Sequence, residues 1–158
     1  MNPQNLQQLL KVMEDMVELE ITLADLYHAC SQAFTDNTQF WYAMKRQEER
    51  HADSIRKMSA LVAAKPQEFT PGRNFNASAI KTIKKAVLVQ IAALKRGEIE
   101  QARMMSIARD IEASVFQANY RELVSTANVQ FMAAISRVEE ETLAHKNLMV
   151  SKIALIKG

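Results

Sequence analysis

Residues 41–62 read WYAMKRQEERHADSIRKMSALV, and this stretch decides the fold. Trp41, Met44, Ile55, Met58 and Val62 recur at the spacings of three and four that align side chains on one stripe of an α-helix. Glu48 and His51 fall on the same stripe. A stripe that is apolar at both ends and ionisable in the middle suits a helix facing a bundle core with a polar centre.

Three more stripes share this character. One reads Met13, Met16, Glu20, Leu23, Tyr27; the next Met105, Ala108, Glu112, Val115, Asn119; the last Phe131, Ile135, Val138, Thr142, His145, Met149. Each is interrupted near its middle. An ionised carboxylate in an apolar seam costs several kcal/mol unless it is paired. No Lys or Arg lies on these stripes near the middle, so a bound cation is the natural counter-charge. The depths agree as well. Glu20 lies 15 residues before Thr35 and Glu48 lies 12 after Asp36; Glu112 lies 13 before Ser125 and His145 lies 17 after Asn128. At about 1.5 Å per residue, four helices can bring these groups to one layer.

Punctuation along the chain sets the plan. Pro3 suits a first helical turn, and Thr35-Asp36-Asn37-Thr38 supplies a turn with capping residues. Helices are expected over 3–34, 39–64, 98–124 and from 129 to about 156. Two of the three prolines, Pro66 and Pro71, mark a loop over 66–74. A shorter amphipathic helix over 78–96 follows, with Ile80, Ile83, Val87, Ile91 and Leu94 on its apolar side, and Lys95-Arg96-Gly97 stops it. The expectation is all-α: one domain, 1–158, with hairpin 3–64, connection 65–97 and hairpin 98–157. These 158 residues suffice for a sizeable core, and with 48% hydrophobic residues and only 3 Gly and 3 Pro the composition agrees.

Bulk properties exclude several classes. A formal net charge of +2 exerts no strong pull on nucleic acid, and no run approaches the roughly 20 apolar residues of a membrane span. Met1-Asn2-Pro3-Gln4 lacks the basic and apolar runs of an export signal, so a cytoplasmic home is expected. The single cysteine, Cys30, allows neither an internal disulfide nor a CxxC metal site, and reads as an inert buried thiol. His28 reads as a surface histidine, Trp41 and the methionines as core, and Lys81, Lys84, Lys85, Lys95 and Arg96 as a solvated face.

The constellation resembles the rubrerythrin branch of the ferritin-like superfamily, whose antiparallel four-helix bundles join two hairpins by one long connection. Family sites take one Glu from each of two helices and Glu-x-x-His from each of the others. Here Glu20 and Glu112 match the lone glutamates, and Glu48-Glu49-Arg50-His51 is one Glu-x-x-His. The halves look repeated, since Glu20 to Glu112 is 92 and His51 to His145 is 94. The second Glu-x-x-His is broken: Thr142 stands three residues before His145, with Glu141 beside it as a possible substitute. Val115 occupies the place of the extra redox-linked glutamate of some relatives, Asn119 that of a second tyrosine, and no rubredoxin-like segment is present.

The resemblance implies iron, one ion or two, with zinc or manganese as further candidates. Its ligands would be Glu20, Glu48, His51, Glu112 and His145, with Glu141 as the sixth; Tyr27, Thr142 and Asn119 would stand behind them. It implies oxidation of Fe(II) with reduction of dioxygen or peroxide, an external electron donor and a homodimer. Two other readings stand beside it: a single-metal protein without turnover, and a metal-free helical interaction module.

Overall fold

The computed structural model describes residues 1–157. The Asn2 side chain accepts the Asn5 backbone N–H at 2.8 Å and starts helix α1, Pro3–Ala33, with Pro3 in its first turn. A single tight turn at Thr35–Asn37 reverses the chain into α2, Thr38–Ala64, which packs along α1. After a connection comes α3, Ala77–Lys95, and then α4, Gln101–Ala118, and α5, Val129–Lys157, form a second hairpin. The protein is an all-helical bundle, with five α-helices among the described residues. Among those residues, no helix is long and apolar enough to cross a membrane.

The connection behaves as its sequence suggests. Helix α3 lies against α1, burying Ile80, Val87 and Leu94 at heptad spacing, and Lys84 Nζ reaches Glu18 Oε2 at 3.1 Å. Gly97, at φ 71°, takes the left-handed conformation that ends the segment. The two hairpins are tied together at the α1–α2 turn. Gln101 Oε1 accepts from both Trp41 Nε1 and Asn37 Nδ2 at 3.1 Å, while its amide donates to Asp36. One side chain at the start of α4 thus fixes the depth of the second hairpin against the first. Trp41 and the stripe methionines Met13, Met16, Met44, Met58, Met105 and Met149 are buried, as core residues should be.

One expectation fails. The third long helix does not run from 98 to 124: α4 ends at Ala118, and Asn119 adopts φ 56°, ψ 70°. Asn tolerates this left-handed region better than other residues with a Cβ. A tight turn at Tyr120–Leu123 then leads into a strand, β2, Val124–Thr126, pairing antiparallel with β1, Phe69–Pro71, inside the expected loop. The ladder needs residues 124–126 extended, and that long-range pairing overrides the helical pattern.

Gly72 extends this tie by donating its N–H to the Leu123 carbonyl at 2.8 Å. A Cβ at position 72 would lie 1.7 Å from the Glu122 carbonyl oxygen, so only glycine permits the approach. Gly72→Ala is expected to force the ladder apart at a cost of about 1–3 kcal/mol. Thermal melting checks it, at roughly 2–4 °C per kcal/mol for a chain of this size.

Candidate metal centre

The four long helices bring their interrupting residues to one place. Glu20, Glu48, His51, Glu112 and His145 are all at most 2% exposed. They form two groups, Glu20/Glu48/His51 and Glu48/Glu112/His145, whose candidate ligand atoms lie within 4.8 Å of one another. Glu48 belongs to both. The two imidazoles stack at 5.5 Å between centroids, 20° from parallel, so the groups are near copies about Glu48.

In each group the imidazole Nδ1 faces the carboxylates. His51 Nδ1 lies 3.2 Å from Glu48 Oε2 and 3.8 Å from Glu20 Oε2. His145 Nδ1 lies 2.9 Å from Glu48 Oε1 and 3.5 Å from Glu112 Oε1. The 2.9 Å pair is close but misaimed: neither atom has a hydrogen-bond partner, and Glu20 Oε2 is likewise orphaned. Three buried atoms with lone pairs or protons left over are costly in an apolar core. A cation in each group would satisfy them, Glu20 Oε2 in the first and Glu48 Oε1 with His145 Nδ1 in the second. Carboxylate and imidazole donors together suit iron, manganese or zinc. The residues present therefore fit one metal ion in each group.

Tyrosines hold the outer carboxylates from behind. Tyr27 donates its hydroxyl proton to Glu112 Oε1 at 2.6 Å, and Tyr120 donates to Glu20 Oε1 at 3.3 Å. Each tyrosine reaches the glutamate of the other hairpin. Tyr27 is where the sequence puts it. Asn119 is not: it is exposed at the helix end, and its expected place is taken by Tyr120, buried at 3% exposure. The left-handed turn at Asn119 rotates the next side chain inward. The repeat carried this signal, because an offset of 93, between the 92 and 94 of the flanking ligands, maps Tyr27 onto Tyr120.

Thr142 is buried on the stripe as expected, but its hydroxyl donates to the Val138 carbonyl at 2.8 Å and not to a carboxylate. A hydroxyl on a helix readily bonds back to its own turn. Glu141 also lands differently from its expected place near His145. Its Oε2 meets the far nitrogen of His51, Nε2, at 2.7 Å, outside both groups. Gln47, which the stripe pattern passes over because it sits one residue off the seam, meets Nε2 of His145 through Oε1. His28 is exposed and Cys30 is buried, and burial pushes the Cys30 thiol well above its usual range.

Protons stand in for cations in the metal-free chain. Burial raises Glu20 to about 8, with the Glu48 charge adding to the effect. Burial and the Glu112 charge push Glu48 up too, but the polar groups of Glu20, His145 and His51 around it outweigh them and hold it low. Burial alone would lower both imidazoles. Their carboxylate partners prevail, raising His51 to about 12 and His145 to about 10. Burial, then the nearby carboxylates, drive Tyr27 and Tyr120 well above the phenol range, so both remain donors.

This is a helical protein with two buried Glu/His groups able to hold metal ions. No family model matches the chain, and no match to it is found among the curated proteins or the solved structures.

Proposed function

We propose that the chain is a ferritin-like protein of the rubrerythrin kind, which holds two iron ions and oxidises Fe(II) while reducing dioxygen or peroxide. The observation that carries the reading is the pair of buried Glu/His groups sharing Glu48. Glu20 and His51 would hold one ion, Glu112 and His145 the other, and Glu48 would touch both. When bound, iron supplies the redox chemistry by cycling between ferrous and ferric forms.

The chain's own residues prepare that site. Tyr27 and Tyr120 fix the outer carboxylates by their Oε1 atoms, which restrains their swing. Met16, Leu23, Met44, Ile55, Ala108 and Val115 lie one turn along from the ligands and are buried, so water is largely excluded. The two raised imidazoles and Glu20 must surrender protons before they can serve as ligands. An external electron donor belongs to this reading. A homodimer belongs to the same reading.

Anaerobic titration with Fe(II), followed by peroxide, tests the proposal. Two ions per chain and oxidation faster than that of free Fe(II) are expected. One ion per chain with no acceleration would favour a single-metal protein. No bound metal and an unshifted melting temperature would favour a metal-free interaction module.

A further inference from the structure

Besides the unequal tyrosine bonds of 2.6 Å and 3.3 Å, the two halves of the centre differ behind their histidines. Behind His51, the Nε2 atom meets a carboxylate oxygen of Glu141 at 2.7 Å. Behind His145, the Nε2 atom meets the amide oxygen of Gln47. Glu141 comes from α5 to a histidine on α2, and Gln47 comes from α2 to a histidine on α5. The arrangement is therefore reciprocal in position and unequal in charge.

We infer that Glu141 and Gln47 are positioning residues that make the His51 end of the centre bind a metal ion more tightly than the His145 end. The inference rests on the two-ion reading above. Both acceptors require Nε2 to carry the proton, and so present the Nδ1 lone pair to the carboxylates. A carboxylate acceptor also feeds negative charge into the ring and strengthens it as a ligand, whereas an amide oxygen is a neutral, weaker acceptor. Removing such a partner typically weakens metal binding about 10–100-fold. The ligand triads are matched, one outer Glu, one His and shared Glu48 on each side, and each outer Glu accepts one tyrosine hydroxyl, so the formal charge of the supporting groups differs only behind the rings.

Wild-type loading in two steps would not decide the matter, since two cations sharing Glu48 repel each other anyway. Variants that keep one end do. His145→Ala leaves the His51 end and His51→Ala leaves the His145 end, each titrated with Co(II) under argon, with metal-free melting curves as a folding control. We expect His145→Ala to bind on the order of tenfold more tightly than His51→Ala, the low end of that range, because Gln47 still supports the His145 end. Adding Glu141→Gln should erase most of that advantage in His145→Ala and leave His51→Ala unchanged. Adding Gln47→Glu should tighten binding in His51→Ala. Equal affinities at the two ends, or equal weakening of both by Glu141→Gln, overturn the inference.

If the alanine variants fail to fold, the Co(II)-loaded full-ligand protein offers a second measurement. Glu141→Gln should move one of the two shifted imidazole N–H resonances and Gln47→Glu the other; both or neither moving overturns the idea. A wild-type protein that binds no Co(II), or one ion only, instead brings down the two-ion reading itself.

Discussion

Glu48→Gln is expected to empty both ends of the centre at once. At a metal concentration where the wild-type chain retains two ions, this variant should retain none, and His51→Ala should retain one. The contrast follows from connectivity: Glu48 is the member common to both groups, whereas His51 belongs to one. The metal-free chain should suffer as well. The carboxylates facing His51 and His145 hold both imidazoles protonated, and Glu48 lies 3.2 Å and 2.9 Å from their Nδ1 atoms. Removing one member of a buried ion pair costs about 3–5 kcal/mol. Elemental analysis after desalting reads the first effect and thermal melting the second. A Glu48→Gln chain that keeps a full complement of metal would show that Glu48 is a bystander.

Metal should raise the melting temperature, and by a margin that widens as pH rises. The metal-free chain loses stability with rising pH. His51 and His145 have folded values of about 12 and about 10, above the ordinary 6.5. Their contribution is complete below 6.5 and is lost as pH climbs through the folded values. Glu20, raised from 4.5 to about 8, acts in the same direction, its contribution fading between those limits. While one such proton is being lost, stability falls by on the order of 1 kcal/mol per pH unit. Ligation requires these groups deprotonated, so affinity climbs over the same window. At a thousandfold excess over Kd a ligand adds about 4 kcal/mol, or on the order of 10 °C here. Melting curves at pH 6 to 9, with and without Zn(II) or Mn(II), measure the gap. A gap that narrows toward high pH would contradict the proton accounting.

Much of this centre was legible because helical periodicity is local. Glu20, Glu48, His51, Glu112 and His145 interrupt stripes whose other members are apolar, and burial follows from the stripe. What escaped was decided across the chain. Asn119 looks like one more helical residue until residues 124–126 are committed to a ladder with 69–71. Three-residue strands carry no periodic signal of their own, and the one-residue shift from Asn119 to Tyr120 follows from that ladder. Glu141 and Gln47 sit beside their seams rather than on them, so their partners emerge only when α2 and α5 are side by side.

The shared glutamate also imposes an order in time. Glu20, Glu48 and His51 all leave the ribosome within the first 51 residues, and the turn between them closes over a short span. Glu48, Glu112 and His145 cannot meet until synthesis has passed residue 145, and the tyrosine bonds join residues 85 and 100 positions apart. Contacts so distant in sequence form late, after local hairpins. One half of the centre is thus available to a growing chain, and the other waits for the second hairpin.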